Sequence, residues 1–313
     1  MYCISRCTQY SIIGKRVEQK VFLDNIIKFI KRIRDIMLLS YLKVLFLLSS
    51  SKPVLNKANR DDNIIVSFTS YPERIYSAIY VATMILNQSM KPDRVVLWLS
   101  EDQFPSKALP HYYNKLISRG LEILWCDDLG SHKKYFYTLK NNLNSILITV
   151  DDDLFYPKNL ISELYEAYQR NPNVICTMRA HQMRIKENNI LPYTDWFGDC
   201  NITNQARFDL FATGGAGTLY PPHALCNEVL NSKAIKEICF YADDVWLKAM
   251  ATLNDTPILL CKNKIRLLTI PNTQNNALKQ KNVDESLNDT QLAAVFSRYE
   301  IYHRLSNHIN NLK

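Results

Sequence analysis

Glycine is scarce in this chain of 313 residues. It occurs seven times, and nowhere in a GxGxxG or GxxxxGKS arrangement. Both arrangements let backbone approach a phosphate closely, so their absence weighs against a dinucleotide-binding Rossmann loop and against a P-loop. Proline occurs only 12 times, and no low-complexity tract or internal repeat is present. The eight cysteines, at 3, 7, 126, 176, 200, 226, 239 and 261, include no CxxC pair. That argues against a disulfide framework or zinc site and for free buried thiols in a reducing compartment. No apolar run reaches the roughly 20 residues that a membrane-spanning helix needs.

Most of the chain also lacks excess positive charge. The net charge is +8, but residues 1–60 alone hold 12 Lys/Arg against 3 Asp/Glu. The remaining residues are close to neutral. A nucleic-acid enzyme spreads basic residues over its working face, so no nucleic-acid partner is expected. The basic module has a pattern of its own. Residues 1–20 show no convincing periodicity. From about 24 to 50, Ile26, Ile30, Ile33, Met37, Tyr41, Val44 and Leu48 recur at helical spacing, with Lys28, Lys31, Arg32 and Arg34 mostly off that stripe. Ile36–Leu48 is apolar nearly all round, broken by Ser40 and Lys43, and too short to cross a bilayer. Two readings stay open. The helix lies in an anionic membrane surface, or it packs on the domain or on a second copy of the chain.

What is abundant is apolar residues, at 47%, enough for a well-filled core. After a polar linker the pattern alternates. Strands are expected at 64–68, 94–99, 121–126 and 145–150, with helices at 73–88, 110–119 and 133–142 between them. Gly120 suits the cap of the second of these helices. This rhythm predicts an α/β fold with a mostly parallel sheet flanked by helices. A helix from Pro157 to about Arg170 and a strand at 173–178 continue it. An irregular stretch, 179–205, follows. Further strands are expected at 208–213, 257–261 and 265–270, helices at 222–231 and 243–253, and one last helix at 292–305. The expected divisions are 1–60 as the basic amphipathic segment and linker, 61–275 as the main domain, and 276–313 as a polar C-terminal segment with a helix.

Within this pattern Ser145-Ile-Leu-Ile-Thr-Val150 runs directly into Asp151-Asp152-Asp153. Open α/β sheets bind ligands at the carboxyl ends of their strands. Three adjacent carboxylates repel one another unless a positive charge sits among them. A divalent cation with oxygen ligands is the simplest neutraliser, which points to metal and phosphate at a strand end. The plainer reading is a solvated acidic turn.

Four blocks then occur in order over about residues 63–250. They are Ser67-Phe68-Thr69-Ser70-Tyr71-Pro72-Glu73-Arg74-Ile75, Val150-Asp151-Asp152-Asp153-Leu154-Phe155-Tyr156-Pro157, Thr213-Gly214-Gly215-Ala216-Gly217-Thr218-Leu219-Tyr220-Pro221-Pro222 and Ala242-Asp243-Asp244-Val245-Trp246. Together they resemble a GT-A (Rossmann-like) glycosyltransferase of the family-2-like group that builds bacterial surface polysaccharides such as capsule and lipopolysaccharide. The resemblance implies that the acid triplet is the DxD element, with Asp151 and Asp153 holding Mn²⁺ or Mg²⁺ on the diphosphate of a nucleotide-sugar and Asp152 facing the ribose or donor sugar. It implies that Thr69, Tyr71 and Arg74 seat the nucleotide, and that Gly214 and Gly215 allow close approach to donor or acceptor. Asp127 or Asp128 is placed near base or ribose. Asp243 and Asp244 match the acidic pair that supplies the base of inverting enzymes, with Asp244 the chosen base. As a helix N-terminal pair they would also satisfy exposed N–H groups.

Other candidates divide between two roles. Trp196 and Phe197 either stack on an acceptor sugar or fill the core, His181 is a possible ligand or acceptor contact, and Lys133 and Lys134 either meet phosphate or lie solvated on a surface helix, the plainer reading. The implied reaction is transfer of a sugar from a nucleotide-sugar, expected to be a UDP-sugar, to a hydroxyl of a glycan or lipid-linked acceptor, on the cytoplasmic face of a membrane. Two other readings compete with this one. A haloacid-dehalogenase-like phosphatase also places Asp-x-Asp after a strand, but Leu154-Phe155 stands where its Thr belongs. An inactive membrane-associated scaffold would not account for two acidic clusters.

Overall fold

Nearly continuous apolar runs become the buried strands of one sheet, as parallel strands covered on both faces require. The computed structural model describes residues 4–58, 60–186, 189–263, 267–271, 273 and 287–310. In chain order these residues form α1 (Ile4–Leu48), β1 (Ile64–Thr69), α2 (Ile75–Leu86), β2 (Arg94–Ser100), α3 (Tyr112–Arg119), β3 (Leu121–Cys126), α4 (Lys133–Asn141), β4 (Ile146–Thr149) and α5 (Leu160–Arg170). There follow β5 (Ile175–Thr177), β6 (Ala180–Gln182), β7 (Ile185–Lys186), β8 (Asn189–Ile190), β9 (Ala206–Arg207), β10 (Leu210–Ala212) and β11 (Thr218–Tyr220). The chain ends with α6 (Ser232–Ile238), α7 (Asp243–Leu253), β12 (Ile258–Leu260), α8 (Leu287–Arg298) and α9 (Ile301–Asn310). Two units are distinguished, Met1–Leu48 and Ser49–Lys313.

The second unit is α/β. Its main sheet, among the described residues, has the order β3-β2-β1-β4-β11-β5-β12-β9. β3, β2, β1 and β4 are mutually parallel, as are β5 and β12, while β11 runs antiparallel to both its neighbours and β9 antiparallel to β12. This is the mostly parallel, helix-flanked α/β sheet expected from the sequence. Gly120 closes α3 in the left-handed conformation, φ 114°, as its position suggests.

One large cluster of buried side chains packs α7 against α8, α9 and the sheet. Trp246, Phe296 and Ile301 are fully enclosed there. Trp246 Nε1 donates to Val229 O at 3.1 Å, so the indole enters the core with its polar atom satisfied. Truncating Phe296 to alanine would cost about 3–5 kcal/mol. This packing fixes the N-terminus of α7 relative to the sheet.

Several expectations are corrected. Helix α1 begins at Ile4, well before residue 24, because no proline interrupts the preceding stretch. Pro157 does not start a helix. Its carbonyl accepts from Gln88 Nε2 at 2.7 Å, and α5 begins at Leu160, with Gln88 Oε1 accepting from Ile161 N–H. Residues 222–231 are a turn and a short 3-10 segment, because His223 adopts a left-handed φ of 60°. The run at 208–213 pairs with β6 in a separate two-stranded sheet. β11 itself was not anticipated. The single helix expected at 292–305 is two, broken at Glu300, φ 53°. The expected strand at 265–270 begins outside the described residues, and its Thr269 makes an isolated bridge to Leu154.

Candidate active site

Sheet register brings the acid triplet and the glycine turn together. Thr149 at the end of β4 pairs with Thr218 at the start of antiparallel β11. Asp151–Asp153 leave the sheet where Gly214–Gly217 enter it. β1 lies on the other side of β4 and ends at Thr69, so the 70–74 turn reaches the same edge. The N-terminus of α7, carrying Asp243 and Asp244, completes the ring.

At the centre is Lys134, from the first turn of α4. Its side chain is only 4% exposed. Nζ donates to Asp151 Oδ1 at 2.7 Å and forms an ion pair with Asp243 Oδ2 at 2.8 Å, without hydrogen-bond alignment. Burial alone would neutralise this amine, but Asp151, Asp243 and Asp244 together hold its pKa well above the ordinary lysine value. Lys133 beside it is also buried and pairs with Asp128. Both lysines therefore depart from the expected solvated surface. The inner side of α4 carries them into the site.

The three acids of the triplet have different surroundings. Asp152 is buried, with Ser70 Oγ donating to Oδ2 at 2.6 Å and Arg74 Nη1 donating to Oδ1 at 3.1 Å. Expected to face the ribose or donor sugar, it anchors the turn that follows β1. Burial, more than it is offset by Arg74, pushes its carboxyl up to about 7. Arg74 also reaches Asp153 Oδ2 at 2.9 Å, and Asp153 O accepts from Ile270 N–H at 2.7 Å. Asp151 is the most open of the three, with 37% of its side chain exposed. The positive charges that the triplet requires are thus supplied, in part, by Lys134 and Arg74.

The glycine turn is read by its neighbours. A Cβ on Gly215 would stand 2.3 Å from Asp151 Oδ2, and one on Gly214 would stand 2.7 Å from Asp244 Oδ1. Only glycine lets both carboxylates come this close to the backbone. Gly214 N–H donates to Asp244 Oδ1 at 3.0 Å. Tyr156, fully enclosed, fastens the turn to the triplet. Its hydroxyl donates to Gly215 O at 2.5 Å and accepts from Asp151 N–H at 2.8 Å.

Asp243 and Asp244 are electrostatically divided. Burial favours the protonated form of Asp243, but the Lys134 ammonium outweighs it and holds this carboxyl below the ordinary range. Burial and the neighbouring Asp243 raise Asp244. The result is one carboxylate that stays charged and one poised near neutrality, the condition for a general base. His132 is enclosed between Tyr135 Oη and Cys239 O, and burial lowers it to about 4. It is a neutral strut behind the pair.

Of the remaining sequence candidates, Thr69 Oγ1 donates to Trp98 O at 2.8 Å, back into the sheet. Tyr71 lies beside the site with the Arg74 guanidinium over its ring at 5.4 Å. Asp128 accepts from Gly130 N–H and Gln103 Nε2, and so shapes the entry to α4. Trp196 is core, packed on Tyr193 and Phe211, whereas Phe197 is exposed under Arg184. His181 Nδ1 accepts from Asp199 N–H, and burial lowers this ring to about 4. Tyr156 is the residue of this cluster that the sequence reading did not single out, and the central, buried place of Lys134 was not foreseen either. The signal for Tyr156 is its place directly after the acid block.

Among the described residues no three His, Cys, Asp or Glu side chains converge to hold a metal ion by themselves. A hard cation that arrives with a diphosphate needs less. Mg²⁺ is commonly held by one or two carboxylates, with phosphate and water completing the shell. Asp151, open to solvent, and Asp153 fit that role. Asp152, with both oxygens engaged inside, does not.

No known family model matches the chain, and no curated protein matches it. Three solved structures give partial likeness. A mannosyltransferase of Pyrobaculum calidifontis, in complex with GDP-Man and Mn²⁺, is 13% identical, with a TM-score of 0.48 over 85% of this chain and 75% of that one. A 4-diphosphocytidyl-2C-methyl-D-erythritol synthase is 13% identical, with a TM-score of 0.39 over 67% of this chain and 94% of that one. An inositol-1-phosphate CTP transferase from T. maritima is 11% identical, with a TM-score of 0.37 over 79% of this chain and 98% of that one. Identities and scores of this size carry no functional assignment.

Proposed function

We propose that the chain is a glycosyltransferase of the GT-A type, moving a sugar from a nucleotide-sugar, in first instance a UDP-sugar, to a hydroxyl of a glycan or lipid-linked acceptor. The observation that carries this reading is the convergence of the acid triplet, the glycine turn and the Asp243–Asp244 pair around buried Lys134. Such a site has a raised carboxyl at Asp244 to take a proton and several fixed charges to orient a charged substrate. Asp244 accepts the proton of the acceptor hydroxyl as that oxygen bonds to the anomeric carbon. The bond from that carbon to the diphosphate oxygen breaks, and the nucleoside diphosphate leaves with the electron pair. Attack from the opposite face inverts the sugar carbon.

Asp151 and Asp153 are the residues proposed to hold Mn²⁺ or Mg²⁺, whose charge would stabilise the departing diphosphate. Arg74 lies where the turn after β1 meets the triplet and is suited to a phosphate oxygen. Tyr71 beside it offers a flat ring to a base. Asp243 and Lys134 keep Asp244 oriented and keep the negative charge of the ring balanced.

The test is a thermal-shift series with nucleoside diphosphates and nucleotide-sugars, each with and without Mn²⁺. A ligand at one hundred times its Kd adds about 2.7 kcal/mol to apparent stability. One nucleotide series is expected to raise Tm, more with Mn²⁺ than without. A flat response across all nucleotides, with no release of nucleoside diphosphate from any donor, would overturn the reading.

A further inference from the structure

The first unit presents an apolar face that the reaction above does not use. α1 runs from Ile4 to Leu48, 45 residues, or about 68 Å at 1.5 Å per residue. Successive residues turn by about 100°, which brings Ile30, Ile33, Met37, Val44 and Leu48 within an arc of about 60°. All five are exposed, Met37 at 67% and Leu48 at 82%, and Ile36, about a quarter-turn from the middle of the stripe, is exposed as well. Soluble surfaces rarely leave a contiguous apolar stripe of this length uncovered. Ser40 is a small interruption.

The charges are placed in register with the stripe. Arg34 and Lys43 fall about a quarter-turn to either side of it, and Arg32 and Lys31 lie further round. All four are exposed. The helix carries nine Lys/Arg against three Asp/Glu. Among the described residues no helix is long and apolar enough to cross a membrane.

We infer that α1 lies in the surface of an anionic lipid bilayer, with the Ile30–Leu48 stripe among the acyl chains and Arg34 and Lys43 at the level of the phosphates. An anionic bilayer fits both features at once. It offers apolar depth under the stripe and negative charge along its two flanks. A second copy of the chain fits less well. It would set two rows of the same cations side by side, and a coiled-coil seam is narrower than the apolar sector that includes Ile36. The inference is independent of the proposed chemistry, since no residue of the catalytic ring takes part.

The experiment is flotation of the full-length chain with vesicles of phosphatidylcholine alone, or with about 30 mol% phosphatidylglycerol, at low and high salt. The chain is expected to float with the anionic vesicles and to be largely released by salt. Ile33→Asp, Met37→Asp and Val44→Asp combined should abolish flotation. Arg34→Glu with Lys43→Glu should lower binding to anionic vesicles by on the order of tenfold or more. These positions are exposed, so folding is checked by circular dichroism rather than assumed lost. As a second readout, Phe29→Trp should shift its emission to the blue when anionic vesicles are added. Absence of flotation on anionic vesicles would overturn the inference. Undiminished flotation of the triple variant would do the same. So would a wild-type dimer that ignores vesicles and becomes monomeric in the triple variant, since that result assigns the stripe to a second copy.

Discussion

Lys134 Nζ stands 2.7 Å from Asp151 Oδ1, so the first turn of α4 supplies a positive charge to the first acid after β4. The same ammonium balances Asp243 on α7. One buried lysine therefore ties the cluster proposed to bind the donor to the pair proposed to act on the acceptor. Lys134→Met keeps the length of the side chain and removes its charge. Breaking a buried pair by removing one partner costs about 3–5 kcal/mol, and the lower end applies because Asp151 is partly screened by solvent. Urea unfolding should report that loss. Sugar transfer should fall by on the order of a hundredfold or more as Asp151 and Asp243 lose their common partner.

Asp244 acts as a base only when ionised, and burial with Asp243 beside it raises its carboxyl to about 7. Below that pH the group is protonated and cannot accept the acceptor's proton. The value of kcat/KM should therefore rise tenfold per pH unit on the acid side and level off above about 7. Asp244→Asn should abolish transfer while a nucleotide-sugar still raises Tm. Retained turnover in Asp244→Asn, or an acid limb that stays near pH 4, would remove Asp244 from the role of base.

Gly214 and Gly215 should respond to alanine in activity more than in stability. The atoms that a new Cβ would meet first are the carboxylate ends of Asp244 and Asp151. Those side chains can swing away, so the folding cost is about 1–2 kcal/mol. The swing, however, displaces the proposed base in Gly214→Ala and a proposed cation ligand in Gly215→Ala. Gly214→Ala is expected to lower kcat, and Gly215→Ala to raise the Mn²⁺ concentration needed for half-maximal rate. Steady-state assays over a Mn²⁺ titration separate the two.

The sheet of the first half was legible because its strands are short runs of apolar residues delivered by short loops, and because Gly120 marks the end of α3. The acid triplet was legible for the same reason, since it follows a buried strand directly. Lys134 was not. A lysine in the first turn of a helix normally points to solvent, and only the packing of α4 beneath Asp151 and Asp243 reverses that. β11 escaped because three residues are too few to show a period, and its antiparallel direction breaks the βαβ rhythm. Without β11 the glycine turn could be recognised by composition but not set against Asp151. The break at Glu300 carries no glycine or proline to announce it.

Tyr156 gives the sharpest test of whether the turn and the triplet act as one unit. Its hydroxyl joins Asp151 N–H to Gly215 O in an enclosed position. Tyr156→Phe removes one oxygen, leaves the ring packing in place, and strands a backbone donor and acceptor that were paired through it. Each buried group left unsatisfied costs about 1–3 kcal/mol, so for the two a loss of about 2–6 kcal/mol is expected in urea unfolding. If the hydroxyl also sets the distance between Asp151 and Gly215, Tyr156→Phe and Gly215→Ala perturb the same contact. Their effects on the rate should then be less than additive in a double-mutant cycle. Simple additivity within about 0.5 kcal/mol would mean that Tyr156 supports the fold alone and leaves the position of Asp151 to Lys134.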